Sequence, residues 1–240
     1  NGANRHSWIS MILPYLEQTN VYNAMNFSVA VGGGPSAATN NLHAGQVNAT
    51  AAMSIINALI CPSDPSPNIS QFARVDQGVG PNNNSGPKLD YAGNFGDNHN
   101  DDATWWTFPN LPTARDNGYG EWGTQTGIMC RSGGTTAIRD ITDGTSNTFG
   151  VGEVLYETND WWTWSNPNGS TCGTSCPICY MRVTQHAGDA NSPIDSRNWR
   201  VGFGFRSQHP GIVNFLFCDG SVKGIKCSIN RITFRSLSTR

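Results

Sequence analysis

The stretch QHPGIVNFLFCDGSVKGI, residues 208–225, decides the fold. Its two apolar runs, Ile212 to Cys218 and Ser221 to Ile225, have strand character and flank an Asp219-Gly220 pair. Asp-Gly between two such runs predicts a β-hairpin with a two-residue type I′ loop, both loop residues having positive φ. Glycine takes that conformation without steric cost, and aspartate takes it more readily than most residues. On this register Cys218 faces Ser221 and Cys227 faces Ile212, so a Cys218–Cys227 bridge is not expected. A catalytic dyad of His209 and Asp219 is the alternative reading of the same residues. The turn already accounts for Asp219 and Gly220, and no Ser or Cys nucleophile motif lies nearby, so the turn is preferred.

Upstream, Ile9, Ile12, Leu13 and Leu16 recur at helical spacing, with Ser7 as N-cap. Pro14 lacks an amide hydrogen, so this helix should kink there or restart with Pro14 in its first turn. A second short helix is predicted from Ala49 to Leu59, with Ala51, Ile55 and Leu59 on one face. Residues 61–128 read as loop with a few short strands, and Thr148 to Tyr156 as a strand interrupted by Gly150 and Gly152. An insertion rich in Trp and Cys follows at about 157–200, and Ile229 to Leu237 is the predicted closing helix. Helices early and late around mainly antiparallel strands define an α+β class, a single domain over residues 1–240 with long loop insertions.

Charged residues make up only 13% of the chain and the net charge is −2. No broad attraction to nucleic acid or to an anionic membrane surface follows from that balance. No stretch reaches the ~18 apolar residues of a membrane span. Nucleophile-elbow, zinc-protease, phosphate-loop and dinucleotide motifs are missing from the sequence, so nothing nominates an enzyme.

Three groups of residues could carry other chemistry. Cys172, Cys176 and Cys179 have the C-x3-C-x2-C spacing of an iron–sulfur site, although that motif is expected near the start of a much longer chain. With His186 as fourth ligand the same residues could hold zinc, and pairing into disulfides is the third reading. Asp97, Asp101 and Asp102 gather hard oxygen ligands of the kind calcium prefers, against the simpler reading of a solvated loop. Asp140 and Asp143 beside Asn147 form a second, smaller group of that type. Trp105, Trp106, Trp161, Trp162 and Trp164 could stack on sugar rings or anchor a protein interface, or else roof the core beneath the loops.

Five segments in order carry a family resemblance: Trp8 to Tyr22 (WISMILPYLEQTNVY), Cys61-Pro-Ser-Asp64, Asp90-Tyr-Ala-Gly-Asn94, Ile141 to Glu153 (ITDGTSNTFGVGE), and the His209…Asp219-Gly220 stretch. Together they resemble a large bacterial family of prepilin-like proteins of unknown function, also catalogued as solute-binding proteins, whose signature is H-x9-D-G. The resemblance implies a pilin-like globular domain, exported to the cell surface, the periplasm or the extracellular space. It implies self-assembly, or assembly with other pilin-like subunits of a filament or pseudopilus. The membrane would be met only through an N-terminal apolar helix, which family members carry upstream of the segment matching Asn1. No cofactor is expected, with calcium an option because some pseudopilins bind it. An exported domain favours the disulfide reading, which makes Cys61, Cys130, Cys172, Cys176, Cys179 and Cys227 the disulfide candidates. Seven cysteines leave one over. Either Cys61 pairs with a cysteine that family members carry upstream, or Cys218 is a buried thiol. An anchored or secreted module binding a solute or glycan is the rival function.

Overall fold

The structure is a computed structural model of the chain and describes residues 6–29, 47–70, 86–99, 116–117, 125–130, 134–155, 163–165, 170–180 and 203–240. In chain order the strands are β1 (Ile69–Ser70), β2 (Gly86–Pro87), β3 (Tyr91–Gly96), β4 (Asn98–His99), β5 (Asp116–Asn117), β6 (Phe149–Glu153), β7 (Thr171–Gly173), β8 (Ile212–Phe217) and β9 (Val222–Lys226). The α-helices are α1 (Trp8–Ile12), α2 (Thr19–Ala24), α3 (Ala49–Ala52) and α4 (Arg231–Ser236). An open, mixed five-stranded sheet with a few short helices makes the fold α+β. The chain forms two compact units, Asn1–Asp90 with Asp160–Ser170, and Tyr91–Asn159 with Thr171–Arg240.

In the first unit, Ser7 caps α1, its hydroxyl accepting from the Ser10 amide at 3.2 Å. The helix stops at Ile12, and Pro14 sits in the first turn of a 3-10 segment, Leu13–Leu16, that closes on Glu17 in the left-handed region. Ile9 and Leu13 are fully buried. The second predicted helix is corrected. Only Ala49–Ala52 is α-helical, and a separate 3-10 turn spans Asn57–Leu59. Ile55 is 43% exposed whereas its neighbour Ile56 is buried, so the chain leaves the helix to turn Ile56 inward. The freed Ser54 carbonyl accepts a hydrogen bond from the Trp164 indole at 2.9 Å, so tertiary partners replace the helical ones.

In the second unit the sheet runs β7-β3-β6-β8-β9, with β3 and β7 parallel and the other neighbours antiparallel. Alternation along β8 turns Val213, Phe215 and Phe217 inward. Phe149 of β6 meets Phe215 at 4.4 Å between ring centroids and Phe205 edge-on at 5.5 Å, and Phe234 of α4 stacks at 5.9 Å. These separations and tilts are those at which aromatic quadrupoles attract. The glycine that interrupts β6 is explained by this packing. A Cβ on Gly152 would come within 2.5 Å of Phe215 and 2.6 Å of Phe205. Asn230 caps α4 by accepting from Ile232 N at 2.9 Å.

The hairpin forms where expected, but its loop differs. Leu216 pairs with Val222 and Ile212 with Lys226, and Phe217 N donates to Ser221 O at 2.8 Å. The loop therefore holds Cys218, Asp219 and Gly220, and among its residues only Gly220 has positive φ, at 85°. Asp219 Oδ1 accepts from both the amide (2.9 Å) and the hydroxyl (2.6 Å) of Ser221, which holds Asp219 out of the left-handed region and leaves that role to Gly220. The one-residue slip brings Cys227 opposite Gly211, whose carbonyl accepts from Cys227 N at 2.9 Å.

Candidate functional site

The signature residues fall into two clusters, one in each unit. In the first unit the backbone fixes Lys88 from two directions. Its amide donates to Asn68 O at 2.8 Å, and it bridges Thr163 in antiparallel register. The side chain is driven inward and is fully buried. Its ammonium donates to the carbonyls of Asp64 (2.8 Å) and Ser66 (3.3 Å). It lies 3.1 Å from Asp64 Oδ2 and 3.4 Å from Asp90 Oδ2. Asp64 Oδ1 accepts from the Ser66 amide at 2.9 Å, and Asp90 Oδ2 from the Cys61 amide at 2.7 Å.

Two carboxyls around one ammonium cannot both remain charged at low cost in a buried site. Burial, countered by the Cys61 amide and reinforced by the negative charge of Asp64, pushes the Asp90 carboxyl up to about 7. Burial also works upward on Asp64, but the hydrogen bonds from Ser66, with Asp90 and Lys88 alongside, outweigh it and hold Asp64 below its ordinary value. Buried Asp64 Oδ2 accepts no hydrogen bond, and neither does Asp90 Oδ1. A proton carried by Asp90 and shared with Asp64 satisfies that oxygen.

In the second unit Glu153, at the end of β6, is buried and reaches across to the start of β8. Its Oε2 accepts from Asn214 N at 2.8 Å and its Oε1 from Asn214 Nδ2 at 3.1 Å. His209 Nε2 lies 3.3 Å from Oε1, with the imidazole partly exposed. The signature histidine thus meets the glutamate of the Ile141–Glu153 segment rather than Asp219. A His209–Asp219 dyad is ruled out by distance, because the six residues of β8 separate the two by about 20 Å. Asn94 of the Asp90–Asn94 segment is equally internal. Its Nδ2 donates to Phe149 O (2.9 Å) and Ser238 O (2.8 Å), and its Oδ1 accepts from Gly96 N (2.8 Å).

The other predicted site residues are dispersed. Cys179 and Cys227 form a disulfide with Cα atoms 5.5 Å apart, and Cys61, Cys130, Cys172, Cys176 and Cys218 remain thiols. With Cys179 bridged outside its motif, the three-cysteine iron–sulfur and zinc readings lose a ligand. Burial pushes the Cys172 and Cys176 thiols up, away from the thiolate form that metals require. Asp97 is buried and ion-paired to Arg235 Nε at 2.7 Å, so its carboxylate already holds a cation. Asp140 accepts from Ala137 N at 2.8 Å, and the Asp143 carbonyl accepts from Asn147 Nδ2 at 3.0 Å, both as turn contacts. Trp164 is fully buried and offers no face for a sugar. Asp101, Asp102, Trp105, Trp106, Trp161, Trp162 and His186 lie outside the described residues.

Sequence reasoning named Cys61-Pro-Ser-Asp64 and Asp90 as segments but missed Lys88, which joins them. The one signal was a lysine inside a strand-like run, Pro87-Lys88-Leu89-Asp90, where a solvated charge is out of place. Among the described residues no helix is long and apolar enough to cross a membrane. No curated protein and no solved structure matches the chain significantly. A family model, described as a protein of unknown function (DUF1559), matches residues 1–231, and the chain therefore belongs to that family.

Proposed function

We propose that this chain is the outward-facing globular domain of an exported structural subunit, which assembles with copies of itself or with other pilin-like subunits into a surface filament or pseudopilus. The observation that carries this reading is the use made of the signature residues. Asp64, Asp90, Asn94 and Glu153 are all buried and bonded to other groups of their own unit. Asp219 and Gly220 build a turn. A signature that maintains a shape suits a protein whose product is an assembly. The Cys179–Cys227 disulfide supports export to an oxidising space. The reading requires no cofactor, nucleic acid or catalytic group.

Intact mass and N-terminal sequence of the protein from its native source test the proposal, together with its presence in sheared surface material. A methylated N-terminus on an apolar helix, recovered with filaments, is the expected result. A mature chain beginning at or near Asn1 and released as a monomer would overturn it. Screening for solutes and glycans would then be the next step.

A further inference from the structure

The Asp64–Lys88–Asp90 cluster has the arrangement of a reaction as well as of an ion pair. A primary amine, fully buried, lies 3.1 Å from one carboxyl oxygen and 3.4 Å from a second carboxyl. The oxygen of Asp64 nearer the amine is Oδ2, while Oδ1 is held by the Ser66 amide at 2.9 Å. That amide is placed to stabilise negative charge developing on Oδ1 as the carbonyl is attacked. Asp90 is in ion-pair contact with the same amine, and its buried Oδ1, like Asp64 Oδ2, accepts no hydrogen bond. We propose that Lys88 and Asp64 condense into an intramolecular amide, an isopeptide bond from Lys88 Nζ to the Asp64 side-chain carbonyl carbon, with Asp90 as the proton carrier.

The step balances without oxidant or cofactor. Lys88 passes one proton to Asp64 Oδ2, and the neutral amine beside two neutral carboxyls is the reacting form. The Nζ lone pair adds to Asp64 Cγ, and the developing charge on Oδ1 rests against the Ser66 amide. Asp90 takes a proton from the nitrogen and delivers one to Oδ2, which departs as water. One N–C bond forms, one C–O bond breaks and Asp90 is regenerated. Reactant positions fixed by the surrounding backbone supply the proximity that this uncatalysed condensation lacks in solution. The product is a covalent tie between residues separated by 24 positions, and it removes the charges of Lys88 and Asp64 from the interior.

Intact mass of the folded, reduced and alkylated chain is the decisive measurement. The expected value is one water below that of the alkylated sequence, with trypsin failing to cut after Lys88 and a branched peptide joining Asp64 to Lys88. Asp90→Asn should fold, by circular dichroism, yet keep the full mass, and Asp90→Glu should restore the loss of water. A folded wild-type chain of full mass, cut by trypsin at Lys88 and acetylated there once unfolded, would overturn the proposal. A link from Lys88 to Asp90 would overturn the assigned roles.

Discussion

The two units solve the same problem in different ways. The Tyr91–Asn159 and Thr171–Arg240 unit is built on stacked phenylalanines from β6, β8 and α4, whereas the Asn1–Asp90 unit adds to buried Ile9, Leu13 and Ile56 an ammonium between two carboxyls. Aromatic packing is indifferent to pH and sensitive to lost volume. A buried ion cluster tolerates changes in volume but not the loss of a partner. The comparison teaches that a region held chiefly by aromatic shape and a region that also depends on proton count can share one chain.

The sharpest way to break the contrast is to open the aromatic unit. Phe215→Ala should cost about 3–5 kcal/mol through lost burial and the cavity left between Phe149 and Phe205, read by urea unfolding at two pH values with the same loss at both. Cys179→Ser with Cys227→Ser releases a loop with a sequence separation of 48 and should cost about 4 kcal/mol on the chain-entropy model. Thermal unfolding with and without reductant checks it. Relative to the chain before cross-linking, Lys88→Ala strands two buried carboxyls and should cost about 3–5 kcal/mol, whereas replacing Lys88, Asp64 and Asp90 together by Met, Asn and Asn should recover most of that loss.

Proton count is tested directly in the chain whose Lys88 is not cross-linked. Asp90 is raised from 3.8 to about 7, so the folded state binds more protons than the unfolded state across that window. Stability should therefore fall as pH rises from about 4 to 7, by up to about 1.4 kcal/mol per pH unit, and then level off. Asp64 is lowered and works in the opposite sense, contributing stability that is lost only as pH falls through its folded value. Asp90→Asn should flatten the fall between pH 4 and 7, and an unchanged slope in urea titrations would place the proton elsewhere. Smallest of the effects, Asn230→Ala should cost about 1 kcal/mol by uncapping α4, with no pH dependence.

Local signals were legible where local chemistry decides the outcome. Ser7 as a cap, Pro14 as a breaker and the Asp219-Gly220 hairpin follow from single residues and their neighbours. The α+β class followed from the order of these signals. The loop register was not legible, because Asp219 can serve two turns and the hydrogen bonds of Ser221 select between them. Ala49 to Leu59 was misread for the reverse reason. Its helical spacing was real, but Ile56 and the Trp164 indole claimed the chain after Ala52. The site followed the same rule, since Asp64, Asp90, Glu153 and His209 stood out as segments while the pairs they form depend on contacts across the fold.

The disulfide also has a mechanical meaning. β7 and β9 are the two outer strands of the sheet; Cys227 directly follows β9, and Cys179 lies six residues after β7. A pulling force arriving along the backbone at Cys179 crosses directly to Cys227 through sulfur and bypasses the β8–β9 hairpin. The 48-residue separation that is bypassed would stretch to about 160 Å if extended. That length stays in reserve under tension and is released only by a reductant, so the hairpin keeps its shape under a load that would otherwise unzip it.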